Sequence, residues 1–265
     1  MDDQQFFLSS LKNQFIFSYR QHTTDIRVIE EVLMNNCYGL SPKMFIDCGP
    51  LVIIDIGAHI GAFSIAATQF MNVTTIFSYE PDEDSFQLLK KNILSNGVVE
   101  KVKPHKLAVT GDVHTAAYFE KGTPANMHPA GKRMSLRKDS VHTIEAKVLT
   151  LSDIFFRNAI DFCHILKIDC EGEEVPILLS TPREVLRKVE VLVGEFHDFD
   201  VNFKMALLKK HLLNSFRFVE FWPLGNDKFT GKPLWLMVCY NSFRRLALQK
   251  GATAEGNGQP SVHPR

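Results

Sequence analysis

No sign dominates the charge of this chain. Its 30 Lys and Arg balance its 30 Asp and Glu. A protein that gains affinity by neutralising phosphates carries a basic excess, so a broad nucleic-acid surface is not expected. There is no Cys-x-x-Cys pair, and the 5 cysteines (Cys37, Cys48, Cys163, Cys170, Cys239) are odd in number. That argues against a disulfide framework or a structural zinc site and for a reducing, cytoplasmic setting. No long apolar run is free of interruption. The most apolar window, residues 51–70, contains Asp55, His59 and two glycines, so no membrane span is expected. The first residues, Met-Asp-Asp-Gln-Gln, lack a basic region followed by an apolar one, and no leader is expected. There is no internal repeat. Neither the Gly-x-x-x-x-Gly-Lys-Ser/Thr phosphate loop nor the Gly-x-Gly-x-x-Gly dinucleotide fingerprint occurs.

What is present is an ordinary globular composition, 45% hydrophobic and 23% charged over 265 residues. That length suits one large domain with its own core. Residues 1–50 form an N-terminal cover expected to be helical, since Ile26, Ile29 and Leu33 make a single stripe. The texture then changes. Leu51 to Ile56 is a short apolar run of the kind buried on both faces of a parallel sheet. A glycine turn and a helix from Ala62 to Phe70 follow. Further strands are expected at Thr75–Tyr79, Val102–Val109, His164–Ile168 and Val189–Val193, with helices between them. One of these opens at Pro81 and Asp82 and closes at Asn96-Gly97. This alternation defines an α/β fold with a doubly wound, mostly parallel sheet. Phe216–Phe221 and Leu234–Tyr240 are strand-like, but the segment joining them is too short for a crossover helix. They are therefore expected as an antiparallel hairpin. The main domain is placed at 51–245, with a basic loop insertion at 110–145, and 246–265 is expected to be a disordered tail.

The chemistry concentrates at strand ends. Asp55-Ile-Gly57-Ala-His59-Ile-Gly61 follows a buried strand and opens a helix. Glycine lets a backbone turn sharply and approach a ligand, and the helix start offers free N–H groups. Asp55 also suits a purely structural turn. Glu80 ends the next strand, where doubly wound folds place an acid on the two ribose hydroxyls of a nucleoside. It also suits the N-terminus of the following helix. Asp169, Glu171, Glu173 and Glu174 crowd the end of a later strand. Ligands of open α/β sheets bind at such ends, so these acids border the expected pocket. Glu173 and Glu174 read as solvated first-turn residues of a helix.

These motifs resemble those of class I S-adenosylmethionine-dependent methyltransferases, and of the FkbM family in particular. Ile54-Asp55-Ile-Gly57-Ala58-His59-Ile60-Gly61 resembles that family's Asp-x-Gly-Ala-Asn-Ile-Gly, with His59 where Asn is commoner. Tyr79-Glu80-Pro81-Asp82 resembles its Glu-Pro step, Leu107-Ala108-Val109 its third strand, and Leu149-Thr150-Leu151-Ser152-Asp153 its Thr-Leu-Asp-Asp segment. Lys167-Ile168-Asp169-Cys170-Glu171-Gly172-Glu173-Glu174 resembles its Lys-Ile-Asp-x-Glu-Gly-x-Glu, and Glu195-Phe196-His197 its Glu-x-His. The matches keep their order from about residue 25 to 240.

The resemblance implies a seven-stranded, Rossmann-like methyltransferase sheet ending in an antiparallel hairpin. It implies S-adenosylmethionine as cofactor, lined by Asp55, Gly57, His59, Gly61, Glu80, Pro81, Ala108 and Asp169. It also implies O-methylation of a small molecule or sugar. An oxygen acceptor must lose a proton, which needs a base. His197, which titrates near neutrality, and Asp169 are the candidates. Lys167, Glu171 and Glu195 are candidate substrate contacts. Lys167 is equally readable as structural, and His59 as a backbone-bonding replacement for Asn. Asp169, Glu171, Glu195 and His197 also make a hard-ligand set for magnesium or a mixed metal site, but without a metal-binding spacing no metal is assigned. Arg133 and Arg137 lie in the basic stretch 121–138 and would suit an anionic group on the substrate. Two other classes stay open. One is a methyltransferase of RNA or protein, with that loop as its contact surface. The other is a cofactor-binding protein without turnover. The oligomeric state is not legible.

Overall fold

A computed structural model describes residues 4–9, 14–45, 47–70, 72–112, 117–121, 142–170, 172–197, 205–226, 231 and 233–241. Arg133, Arg137, Glu171 and the tail from 246 lie outside the described residues.

The strands are β1 (Gln4–Ser9), β2 (Gln14–Tyr19), β3 (Leu51–Ile56), β4 (Val73–Tyr79), β5 (Val102–His105), β6 (Ala108–Val109), β7 (Ala117–Lys121), β8 (His142–Ala146), β9 (Val148–Leu149), β10 (Cys163–Ile168), β11 (Val189–His197), β12 (Phe218–Asn226) and β13 (Pro233–Tyr240). The α-helices are α1 (Asp25–Leu33), α2 (Ala62–Ala67), α3 (Glu83–Ser95), α4 (Leu151–Arg157), α5 (Glu174–Ser180), α6 (Arg183–Leu186) and α7 (Met205–Leu212).

Seven strands form one sheet in the order β12-β13-β11-β10-β3-β4-β5. Pairings from β5 to β11 are parallel, and β13 runs antiparallel to both β11 and β12. The expected hairpin is present, but its second strand, not its first, lies against β11. This insertion pairs β13 along both of its edges.

The central strands are apolar at nearly every position because both faces are covered. Ile54, Ile56, Leu166, Ile168 and Leu192 face one core, shared with Leu151 and Phe155 of α4, Ile177 of α5 and Leu212 of α7. Ile53, Ile165, Val191 and Val193 alternate with them and face a second core, shared with Phe63 of α2 and Leu89 and Ile93 of α3. Local signals set the helix ends. Asp82 caps α3 by accepting from Ser85 N at 2.9 Å, and Thr150 with Asp153 closes a reciprocal capping box at α4.

Two expectations need correction. The N-terminal cover is not simply helical, because β1 and β2 pair antiparallel ahead of α1. Phe15 and Phe17 of β2 bury against Ile29, Ile65 and Leu88, a period-two pattern that fits a strand. The insertion at 110–145 is not loop throughout, since β7 and β8 pair antiparallel at its ends.

The free edge of β2 is completed by side chains. Asn92 of α3 and Asn96, the residue that caps its C-terminus one turn later, replace a neighbouring strand. Asn92 accepts from Ser18 N at 2.7 Å and donates to Ser18 O and Ile60 O. Asn96 accepts from Ile16 N at 3.0 Å and donates to Ile16 O. Asn92 is fully buried, so its loss strands three backbone groups away from water. Asn92→Ala is expected to lower the unfolding free energy by about 2–4 kcal/mol, measured by urea titration. Asn92→Asp, which keeps the acceptor and loses the donors, should also destabilise.

Candidate active site

The chain reverses its direction of travel across the sheet after β5. Strands β3, β4 and β5 are laid down to one side, and β10 then returns to the other side of β3. The crevice between the C-terminal ends of β3 and β10 is therefore the switch point at which open α/β sheets bind ligands. Asp55 and Gly57 lie at the end of β3, and Lys167 and Asp169 at the end of β10.

Lys167 and Asp55 are direct register partners in β10 and β3. The Lys167 ammonium lies 3.1 Å from Asp55 Oδ1 and donates to Gly57 O at 2.6 Å and Ile56 O at 3.3 Å. The other Asp55 oxygen accepts from Ser64 Oγ at 2.6 Å. Both charged side chains are buried. Burial alone would depress the lysine, but Asp55 and Asp169 outweigh it and hold its pKa above the usual range. Lys167, considered above as a substrate contact, is thus committed to the turn. It also lies 5.7 Å over the Tyr38 ring.

Gly57 has φ +74°, and a Cβ there would meet Asp169 O at 1.8 Å. Only glycine lets the two strand ends approach this closely. Gly61, at φ +93°, starts α2. Between them His59 takes φ +51°, a left-handed conformation that Asn and His tolerate better than most residues. This fits its replacement of Asn in the family motif. Its backbone N–H donates to Glu80 Oε2 at 2.7 Å. Its ring Nε2 lies 3.1 Å from Arg20 Nη2 and 3.2 Å from Asp25 Oδ1.

Glu80 is buried at the end of β4. Its second oxygen accepts from Asp82 N at 2.9 Å. Burial pushes its pKa up, against the pull of His59 and the two backbone N–H groups. Each oxygen spends one lone pair on the protein and keeps another. Pro81 follows, half-buried, and the His105 carbonyl that accepts from Glu80 N lies three residues before the buried Ala108.

Beyond β10 and β11 lies a second group. Asp169 Oδ2 accepts from the hydroxyl of Tyr38 at 2.8 Å. Tyr38 is buried, and burial beside Asp169 holds its pKa well above the usual phenol range. His197 Nδ1 lies 3.1 Å from Glu174 Oε1, and its Nε2 lies 3.6 Å from Glu195 Oε2. Burial and the facing Asp169 push Glu195 up to about 8. One ligand atom each from Asp169, Glu195 and His197 lie within 4.8 Å of one another.

Glu174 corrects an expectation. It is fully buried, not solvated, and accepts from Cys170 N and from Gly172 N. Those amides and the imidazole offset its desolvation.

Three contributors were missed from sequence: Tyr38, Arg20 and Asp25. Arg20 grips Asp25 with two bonds of 2.8 and 2.9 Å and donates to Ser85 Oγ, tying the N-terminal cover to the His59 turn. No local spacing announces such partners. The only available signal was an arginine and an aspartate flanking a helix start.

An open doubly wound sheet with one antiparallel inserted strand and acids at its switch point is a Rossmann-like fold. The comparisons give its class. Residues 55–222, well over half of the chain, match the family described as the methyltransferase FkbM domain. The chain belongs to the FkbM methyltransferase family. It is 25% identical over 185 residues to the 31-O-demethyl-FK506 methyltransferase FkbM of Streptomyces tacrolimicus, covering 60% of this chain and 71% of that one. Among solved structures, it matches a precorrin-6y C5,15-methyltransferase from Geobacter metallireducens (15% identity, 76% of this chain, 85% of that one, TM-score 0.43). It also matches an rRNA methylase from Streptococcus thermophilus (8% identity, 79% and 95%, TM-score 0.46). No helix among the described residues is long and apolar enough to cross a membrane.

The Asp25 cluster carries a pH signature. Burial alone would raise the Asp25 carboxyl, but His59 and Arg20 outweigh it and hold its pKa well below the usual carboxylate range. A depressed folded-state pKa means stability that is present above the unfolded value and lost as pH falls through the folded one. Urea titrations between about pH 4 and pH 2 should show wild type losing stability more steeply than Asp25→Asn.

Proposed function

We propose that this protein transfers the methyl group of S-adenosylmethionine to an oxygen of a small-molecule or sugar substrate. The observation that carries the reading is the buried Glu80 carboxylate at the end of β4, which holds the β3–α2 turn by accepting from the His59 amide. When bound, the donor supplies an electrophilic methyl group on a sulfonium.

The residues present fit such a donor. Gly57 brings bare backbone to the crevice, where any larger residue would collide with Asp169 O, and Gly61 lets α2 start hard against Leu89. Glu80 keeps lone pairs for two ribose hydroxyls, and Pro81 and Ala108 flank the expected adenine position. Asp169 and the Asp55 turn close the methionine end, and negative charge there favours a sulfonium electrostatically. The chain's main contribution is orientation, because methyl transfer is an in-line displacement.

On the acceptor side, Asp169, Glu195 and His197 gather at the ends of neighbouring strands. Removal of the hydroxyl proton falls to this group, with His197 and Asp169 nearest the role of base. The curated relative is named for a 31-O-demethylated substrate, which supports an oxygen acceptor on a small molecule.

Calorimetry with S-adenosylhomocysteine tests the cofactor assignment. Wild type should bind it. Glu80→Gln, which halves the carboxylate's capacity to accept, should weaken binding about 10- to 100-fold. An absence of wild-type binding would sink the proposal.

A further inference from the structure

We propose that Asp169, Glu195 and His197 together bind one divalent cation of the manganese type beside the crevice. The ion's use in catalysis rests on the methyltransferase reading above, but its binding does not.

The donor set comes first. Two carboxylates and one imidazole form a mixed oxygen and nitrogen site. Such a set suits manganese or a later transition metal better than calcium or magnesium, which prefer oxygen throughout. The three ligand atoms lie within 4.8 Å of one another. An ion with bonds of about 2.1 Å holds its ligands roughly 3 to 4 Å apart, so a small inward movement of the side chains completes the geometry. Glu195 and His197 Nε2, at 3.6 Å, are already at that spacing. The ligands stand on adjacent strands, His197 and Glu195 two residues apart on one face of β11 and Asp169 just past β10.

The surroundings are built as metal sites build theirs. A ligating histidine usually gives its other ring N–H to a carboxylate, which fixes the tautomer and orients the ring. Glu174 Oε1, fully buried, sits 3.1 Å from His197 Nδ1. With the proton on Nδ1, the Nε2 lone pair lies on the Glu195 side. Glu174 is itself held by the amides of Cys170 and Gly172. Asp169 is likewise oriented, by the buried Tyr38 hydroxyl at 2.8 Å.

Charge points the same way. Asp169, Glu195 and Glu174 meet around one imidazole, and Glu31 adds to the field at Glu195. Lys167 is the nearby lysine, but its ammonium is bound to Asp55 and two carbonyls. A divalent ion would balance the carboxylates. It would also leave open positions for an acceptor oxygen, which it would hold and polarise. The ion would acidify that hydroxyl, whose proton would pass to a carboxylate oxygen of Asp169, so that with the ion in place His197 acts as ligand and Asp169 keeps the role of base given above.

The test uses the full chain stripped with chelator, freed of it, and titrated with Mn2+ alone, without methyl donor. Free Mn2+ is followed by its paramagnetic resonance signal. One equivalent should bind per chain. Glu195→Gln should weaken binding at least about tenfold, whereas Glu83→Gln, an exposed site on α3, should not. Mn2+ should raise the melting temperature of wild type and leave that of Glu195→Gln unmoved, which separates a lost site from a damaged fold. No stoichiometric binding, or equal binding by wild type and Glu195→Gln, overturns the proposal. S-adenosylhomocysteine is titrated separately in chelator. If it binds while Mn2+ does not, only the metal site fails. If Mn2+ binds while it does not, the cation site stands and the methyltransferase reading falls.

Discussion

The buried ion pair between Lys167 and Asp55 is the constraint on which the rest of the site depends. It joins the two strands that flank the switch point, at residues already opposite one another in the sheet. A buried charge without a partner is severely unfavourable. Slipping β10 by one residue against β3 would carry the ammonium to the wrong face and strand both charges. The pair therefore enforces register where register matters most. The same ammonium binds the carbonyls of Ile56 and Gly57, so it also fixes the start of the turn. Everything downstream inherits that position: the close approach of Gly57 to Asp169, the left-handed His59, and the His59 amide on Glu80.

Two carboxylate groups with different environments then divide the crevice. Glu80 and Asp55 are buried and bonded to backbone or to fixed partners. Asp169 and Glu195 are only partly covered and face one another near His197. Burial, and after it the facing Asp169, raises the pKa of Glu195. The division matches a reaction in which one partner must be held still and the other must give up a proton.

Much of the architecture was legible in the sequence because its causes are local. Both faces of the central strands are covered, so Leu51–Ile56 reads as an unbroken apolar run. Asp82 and Asn96-Gly97 punctuate α3 directly, and the short link before Leu234 excludes a crossover. Other features depend on partners far away in the chain. Tyr38 meets Asp169 across 131 positions, and Asn92 serves a strand 74 positions earlier. Glu174 looks like a surface residue at a helix start, and only the fold turns the amides of Cys170 and Gly172 onto it. The strand at Gln14–Tyr19 carries its own alternation in Phe15 and Phe17, whereas the stripe of Ile26, Ile29 and Leu33 describes only α1.

The central claim is that the switch-point crevice holds a methyl donor, and the most direct measurement is a crystal structure of the chain with S-adenosylhomocysteine. The account predicts the ribose hydroxyls on the Glu80 carboxylate and the amino-acid end against the Asp55–Gly57 turn, with the sulfur facing Asp169. A ligand bound elsewhere, or one that leaves Glu80 untouched, would contradict it.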